Sequence, residues 1–197
     1  MNKFFVVCFG LVVGVTAVSA FLTGCGSSNS TSPAPVTVTI TQPPTPVCGG
    51  KLGYVTVGTG FTESAGYITA NAVTLSTASK TLDMAIYLGA TVSGNILLSV
   101  YSDSGGSPNT FMDGGAITSP TANSWNIATL TGQSLPAGVY WLAFDQQNND
   151  SMNYGSTHTV KSFQVAHTYG IPPLTMPTGS VYSSTSPFAI LLDTTCN

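Results

Sequence analysis

Thr81-Leu82-Asp83-Met84-Ala85-Ile86-Tyr87-Leu88 decides the fold. Leu82, Met84, Ile86 and Leu88 fall on one side of a period of two. Thr81, Asp83, Ala85 and Tyr87 fall on the other. Successive strand side chains point to opposite faces, so this stretch reads as a strand with one face toward a core. Ile96, Leu98 and Val100 repeat the pattern, as do Phe163, Val165, His167 and Tyr169. Phe188, Ile190 and Leu192 close the chain in the same way. Val139 to Phe144 is apolar at every position and reads as a central strand covered on both faces.

Punctuation between the runs agrees with this reading. Gly105-Gly106-Ser107-Pro108, Gly114-Gly115, Pro136-Ala137-Gly138 and Pro172-Pro173 are turn signals. No window longer than about ten residues keeps a helical period. The expected fold is all-β, a single antiparallel β-sandwich of jelly-roll type.

The start of the chain has a different chemistry. Lys3 precedes an uncharged, apolar run from Phe4 to Ala20. That is long enough for a signal segment and nearly long enough to span a bilayer. An uncleaved membrane anchor is therefore the alternative. Small residues and a cysteine end the run, and no cluster of Lys or Arg follows it. Leu22-Thr23-Gly24-Cys25 resembles the lipobox of bacterial lipoproteins. The resemblance implies cleavage before Cys25 and a lipid on its thiol, so the membrane is a partner through that lipid. Gly26 occupies the position where an Asp resembles an inner-membrane retention signal. The implied address is the cell envelope, with the outer membrane and cell-surface display favoured.

Three segments follow: a signal over 1–24, a lipidated cysteine and stalk over 25–46, and a β-sandwich over 47–197. The stalk opens Gly-Ser-Ser-Asn-Ser-Thr-Ser-Pro and stiffens at Pro43, Pro44 and Pro46. Val36 to Thr41 alternates perfectly and reads either as extended stalk or as an edge strand. Cys8 leaves with the signal and Cys25 takes the lipid. Cys48 and Cys196 remain at the two ends of the domain, and an export compartment favours a disulfide between them. The alternatives are two free thiols or a metal site with the histidines, and two Cys so far apart lack zinc spacing.

The segment order also resembles that of secreted bacterial modules called choice-of-anchor domains. The matching pieces run from Ile96-Leu97-Leu98-Ser99-Val100-Tyr101-Ser102-Asp103 to Gly105-Gly106-Ser107-Pro108. Ser124-Trp125-Asn126 follows, then Leu135-Pro136-Ala137-Gly138-Val139-Tyr140-Trp141-Leu142-Ala143. The resemblance implies a sandwich fold and a surface address, and it carries no catalytic residues to transfer.

Composition narrows the function. Only 6% of residues are charged, and acids outnumber bases by seven to four. Nucleic acid is excluded as a partner, because phosphate binding needs clustered Lys and Arg. No nucleophile elbow, metalloprotease helix or phosphate loop is present. Most Asp residues sit in or beside turns, where Asp bonds local backbone. His167 shares a face with Phe163 and Val165 and reads as a half-buried structural histidine. The chain is expected to be non-catalytic and to need no cofactor.

Two kinds of ligand remain. Calcium would use loop oxygens, and Asp103, Asp145 and Asp150 are the candidates, although none has EF-hand spacing. Carbohydrate would stack on exposed rings, with Trp125 and Tyr169 foremost and Tyr154 and Tyr182 behind them. Core packing is the alternative for Trp125, together with Ile127 and Leu130. The leading expectation is a structural or adhesive surface module with a protein or glycan partner, and the alternative is a carbohydrate-binding module.

Overall fold

The computed structural model describes residues 49–155 and 158–196. The signal, Cys25, the stalk with Val36 to Thr41, and Cys48 lie outside the described residues. Among the described residues, thirteen strands form two antiparallel sheets. The first sheet runs β1 (Gly50–Gly53), β13 (Ile190–Cys196), β4 (Ser79–Leu88), β10 (Ser151–Asn153) and β2 (Gly60–Thr62). There β7 (Ser124–Thr129) and β8 (Ser134–Leu135) also pair with β4. The second sheet runs β12 (Ser180–Ser184), β11 (Val160–Ala166), β3 (Tyr67–Leu75), β9 (Gly138–Gln146), β5 (Ile96–Ser104) and β6 (Ser107–Ile117). Among the described residues there is no helix. The expected all-β sandwich is the observed fold.

The alternation places the main core between the sheets. Met84, Ile86 and Leu88 meet Ile96, Leu98 and Val100 there, all buried, with Ile190 and Leu192 beside them. Tyr140, Leu142 and Phe144 reach the same core from β9. As expected, β9 is central, paired with β3 on one side and β5 on the other. Its alternate residues Trp141 and Ala143 point to the outer face of the sheet. They build a second apolar cluster there with Tyr101, Ile68, Phe163 and Met176.

A strap over 167–179 covers that outer cluster. The Tyr101 hydroxyl donates to the Pro173 carbonyl at 3.1 Å. Phe111 N donates to the Leu174 carbonyl at 3.0 Å, and Met176 N to the Asn109 carbonyl at 2.7 Å. Those two backbone bonds make a short antiparallel bridge between Thr175 and Thr110 of β6, while Pro172 and Pro173, which offer no N–H for a ladder, precede it.

One residue departs from the sequence pattern. Leu82 was expected on the core face, yet it is 46% exposed. The β13–β4 register slips there: Asp193 faces Asp83, and Thr194 faces Thr81, so Leu82 is skipped. A bulge of this kind re-aims the side chains that follow it. Thr81 turns inward and is buried, and Leu82 turns to solvent. Leu82→Thr is therefore expected to change stability by no more than about 0.5 kcal/mol in chemical denaturation. A loss of several times that amount would mean that Leu82 packs.

Candidate functional site

The outward face of the first sheet carries three rows of side chains. The pairing of β7, β4, β13 and β1 sets them. Trp125 lies directly across from Tyr87. Ile127, Ala85, Leu191 and Gly53 line up in the next row. Asp83, Asp193 and Lys51 line up in the third. Trp125 meets Tyr87 edge to face, with ring centroids 5.7 Å apart and planes at 82°. Such a pair fixes the indole without covering both of its faces.

The middle row explains why the face is concave. Ala85 and Gly53 are small, whereas Trp125, Ile127 and Val55 stand up around them. The result is a groove of about 340 Å³ lined by Trp125, Ile127, Ala85, Leu191, Asp83 and Asp193, with Lys51 and Val55 at its margin. Ile127 is 62% exposed and Val55 52% exposed. Trp125 and Ile127 thus do not join the core, and only Leu130 of that trio is buried.

The polar row has an unusual charge order. Asp83 and Asp193 sit directly opposite one another on neighbouring strands. Like charges in that position are destabilising. Lys51 Nζ lies 3.4 Å from Asp193 Oδ2 and offsets part of the repulsion. Two carboxylates and one ammonium therefore border an apolar floor with an indole at its far end. The arrangement offers acceptors on one side, a donor at the edge and a flat ring face.

The other expected site residues lie elsewhere. Tyr169 is half-buried at the start of the strap. It lines a depression of about 490 Å³ with His167, Gln147 and Gly66. Burial, and then the charge of Asp145, push its phenol above its ordinary value. Trp125 lies on the first sheet and Tyr169 on the strap, and they share no groove. His167 is half-buried as expected, with Nδ1 3.0 Å from Asp145 Oδ2. Tyr154 stacks on Phe61 at 4.0 Å, and Tyr182 is 42% exposed.

The three calcium candidates do not converge on one point. Asp103 accepts from the Trp141 indole at 2.8 Å and from Gly106 N at 3.1 Å. It thereby ties the buried indole to the β5–β6 turn, where Gly105 and Gly106 take the positive φ that this tight turn demands. Asp145 holds the strap through His167 and the backbone of Gly170. Burial pushes its carboxyl up, and the His167 contact pulls it only part of the way back. Asp150 accepts from Ser93 N at 2.7 Å, and burial raises it too. Among the described residues, no group of three His, Cys, Asp or Glu side chains is placed to hold a metal ion.

Sequence reasoning found Trp125 but missed its neighbours Tyr87, Ala85, Leu191, Asp193 and Lys51. The usable signal was Asp83-x-Ala85-x-Tyr87, the non-core side of β4. Its pairing with β7 joins residues about forty positions apart, and its pairing with β13 residues more than a hundred apart, and no local pattern encodes that. No protein-family model matches the chain, and comparison with curated proteins finds no significant match.

Proposed function

We propose that the chain is an exported lipoprotein, anchored through Cys25, whose sandwich is displayed on its stalk as a non-catalytic adhesive module. The ligand we assign to the first-sheet groove is carbohydrate. The observation that carries this reading is a half-buried indole at one end of an open apolar groove, with paired carboxylates at the other. A sugar ring has an apolar face for the indole and hydroxyls for the carboxylates. The low charge of the chain favours a neutral ligand over an ionic one.

Two carboxylates in one groove also raise the possibility of glycoside hydrolysis. That chemistry needs them on either side of the scissile bond, one as acid and one as base or nucleophile. Asp83 and Asp193 instead stand side by side on one sheet face, and Asp193 is paired with Lys51. Binding is the better reading.

Glycan-array binding of the full chain in detergent, with and without calcium, is the test. Retention of at least one neutral glycan is expected, with no release of reducing sugar. Silence in both conditions contradicts the proposal, and hydrolysis would make the protein an enzyme. Trp125→Ala is expected to weaken retention tenfold to a hundredfold by calorimetry, the range for a central aromatic anchor. An unchanged affinity would move the site away from the groove. The anchor has its own check: intact mass should show diacylglycerol on a chain beginning at Cys25, and an unmodified thiol there refutes it.

A second reading rests on β12. Its outer edge pairs with no other strand among the described residues, and Ser180-Val181-Tyr182-Ser183-Ser184 bears no charge. Uncharged edges favour strand pairing with a partner or a second copy. An array without hits, together with a concentration-dependent oligomer, would favour this reading.

A further inference from the structure

The outward face of the first sheet continues past the Trp125–Tyr87 pair. Leu88 and Met152 are buried in the core between the sheets. Gly89, Ser151 and Asn153, each one position along, therefore point outward. Gly89 extends the β4 row of Asp83, Ala85 and Tyr87, and Asn123 extends the β7 row of Ile127 and Trp125. Asn123 N donates to the Gly89 carbonyl at 2.9 Å, and Gly89 N donates to the Ser151 carbonyl at 2.7 Å. Ser151 lies across from Thr62, and Asn153 across from Gly60. The next row on this face is thus Asn123, Gly89, Ser151 and Thr62.

That row holds a second depression, of about 440 Å³, lined by Thr62, Gly89, Asn123, Ser151 and Asn153. Gly89 leaves the room for its neighbours. A Cβ there would lie 2.7 Å from Ser151 Cβ and 3.1 Å from Asn153 Oδ1. Asn153 Nδ2 donates to the Gly58 carbonyl at 2.8 Å, which fixes the amide and leaves Oδ1 buried without a donor. None of the lining residues is charged. Trp125 and Tyr87, both half-buried, stand between this depression and the groove. Ala85 on one side and Gly89 on the other are four residues apart, about 13 Å along a strand. That span exceeds a single sugar ring.

We propose that the two depressions are adjoining subsites of one site, and that its ligand is a neutral oligosaccharide crossing the Trp125–Tyr87 pair. The inference rests on the carbohydrate reading of the groove and extends it from one ring to a chain of rings. A ring stacked at the pair carries one neighbour toward Ala85 and Asp193 and the other toward Gly89 and Ser151. The second depression sets the class at its end. Its hydroxyls and side-chain amides both donate and accept, as sugar hydroxyls do. It offers no counter-charge to an ionic group.

Calorimetry on the full chain in a non-glycosidic detergent tests the assignment. The probes are glucose, mannose, galactose and N-acetylglucosamine, each as the single sugar and as its β-linked hexamer. At least one hexamer should bind at least tenfold more tightly than its single sugar. Thr62→Tyr sets a ring into the second depression from an exposed position on β2. It should abolish the hexamer's advantage and leave the affinity for the single sugar within twofold, whereas Trp125→Ala should weaken both. Equal affinity for the two lengths, or an advantage that survives Thr62→Tyr, overturns the second subsite and leaves the groove reading standing. If no sugar of either length binds, the carbohydrate reading fails and this inference with it. Should Thr62→Tyr fail to fold, Asn123→Gly decides, since glycine keeps the φ of 53° found there. It should cut the hexamer's affinity at least threefold, and an unchanged affinity overturns the proposal.

Discussion

Asp113→Ala should lower unfolding free energy by about 3 kcal/mol, which for a chain of this size is a fall in Tm of about 6–12 °C. Asp113 is 2% exposed on β6. It accepts from the Thr81 hydroxyl, from Thr131 Oγ1 at 2.9 Å, from Thr131 N at 3.2 Å and from Gln133 N at 3.3 Å. It thus pins β4 and the β7–β8 connection to β6. Removing the carboxylate leaves the buried Thr81 hydroxyl without this acceptor and breaks the bonds that hold the exposed Thr131 and Gln133 to β6; bonds to a charged acceptor are among the stronger ones, and an unmet buried donor costs more than a made bond contributes.

The same site gives a pH signature. Burial alone would raise the Asp113 carboxyl, but the hydrogen bonds from Thr81, Thr131 and Gln133 outweigh it and hold the carboxyl below its ordinary value. A depressed folded pKa means a contribution that is full above the unfolded value of about 3.9 and is lost as pH falls through the folded pKa. Denaturation series below about pH 4 should show this loss in the wild type and not in Asp113→Asn. Parallel acid limbs in the two proteins would contradict the assignment.

The second large effect concerns the chain ends. Gly49, the residue after Cys48, runs so close to the end of β13 that a Cβ on it would lie 3.2–3.5 Å from the backbone of Thr194, Thr195 and Cys196. Gly49 N also donates to Ser79 Oγ at 3.4 Å, and Ser79 is the register partner of Cys196. These contacts support a Cys48–Cys196 disulfide. Closing a loop of about 150 residues restricts the unfolded chain by on the order of 5 kcal/mol in the chain-entropy model. Cys48→Ser should therefore cost about 2–5 kcal/mol, and dithiothreitol should reproduce the loss in the wild type alone. Non-reducing peptide mapping checks the pairing directly, and free thiols at either position refute it.

Much of the fold was legible because burial imposes its period on the sequence. Met84-x-Ile86-x-Leu88 and Ile96-x-Leu98-x-Val100 have one solvated side and one core side, and the residues record which is which. Tyr140 to Phe144 lost its alternation because β9 is covered on both faces there, whereas Val139, expected to be covered with them, is 41% exposed. The strap itself was unreadable. Pro172-Pro173 signals a break in regular structure, not what the broken segment will cover. Leu82 failed for a related reason: a bulge is a property of two strands, and the sequence of one does not show it.

The site was less legible than the fold. Trp125 stood out as a residue type, yet its surroundings are contributed by β1, β4, β7 and β13. Asp103 was weighed as a calcium ligand on composition, whereas its partners are a buried indole nitrogen and a turn amide. The burial of Thr69 and Asn71 on β3 gave no sequence signal, because Asn and Thr in a strand look like solvated positions until the second sheet covers them.

The two tryptophans allow one direct measurement of the central claim. Trp125 borders the groove, and Trp141 is 0% exposed with its indole N–H bonded to Asp103. An ¹H–¹⁵N spectrum of the full chain in detergent contains one indole signal from each. Titration with a glycan retained on the array should move the Trp125 signal and leave that of Trp141 in place. A Trp125 signal that stays fixed while the glycan is bound would contradict the account.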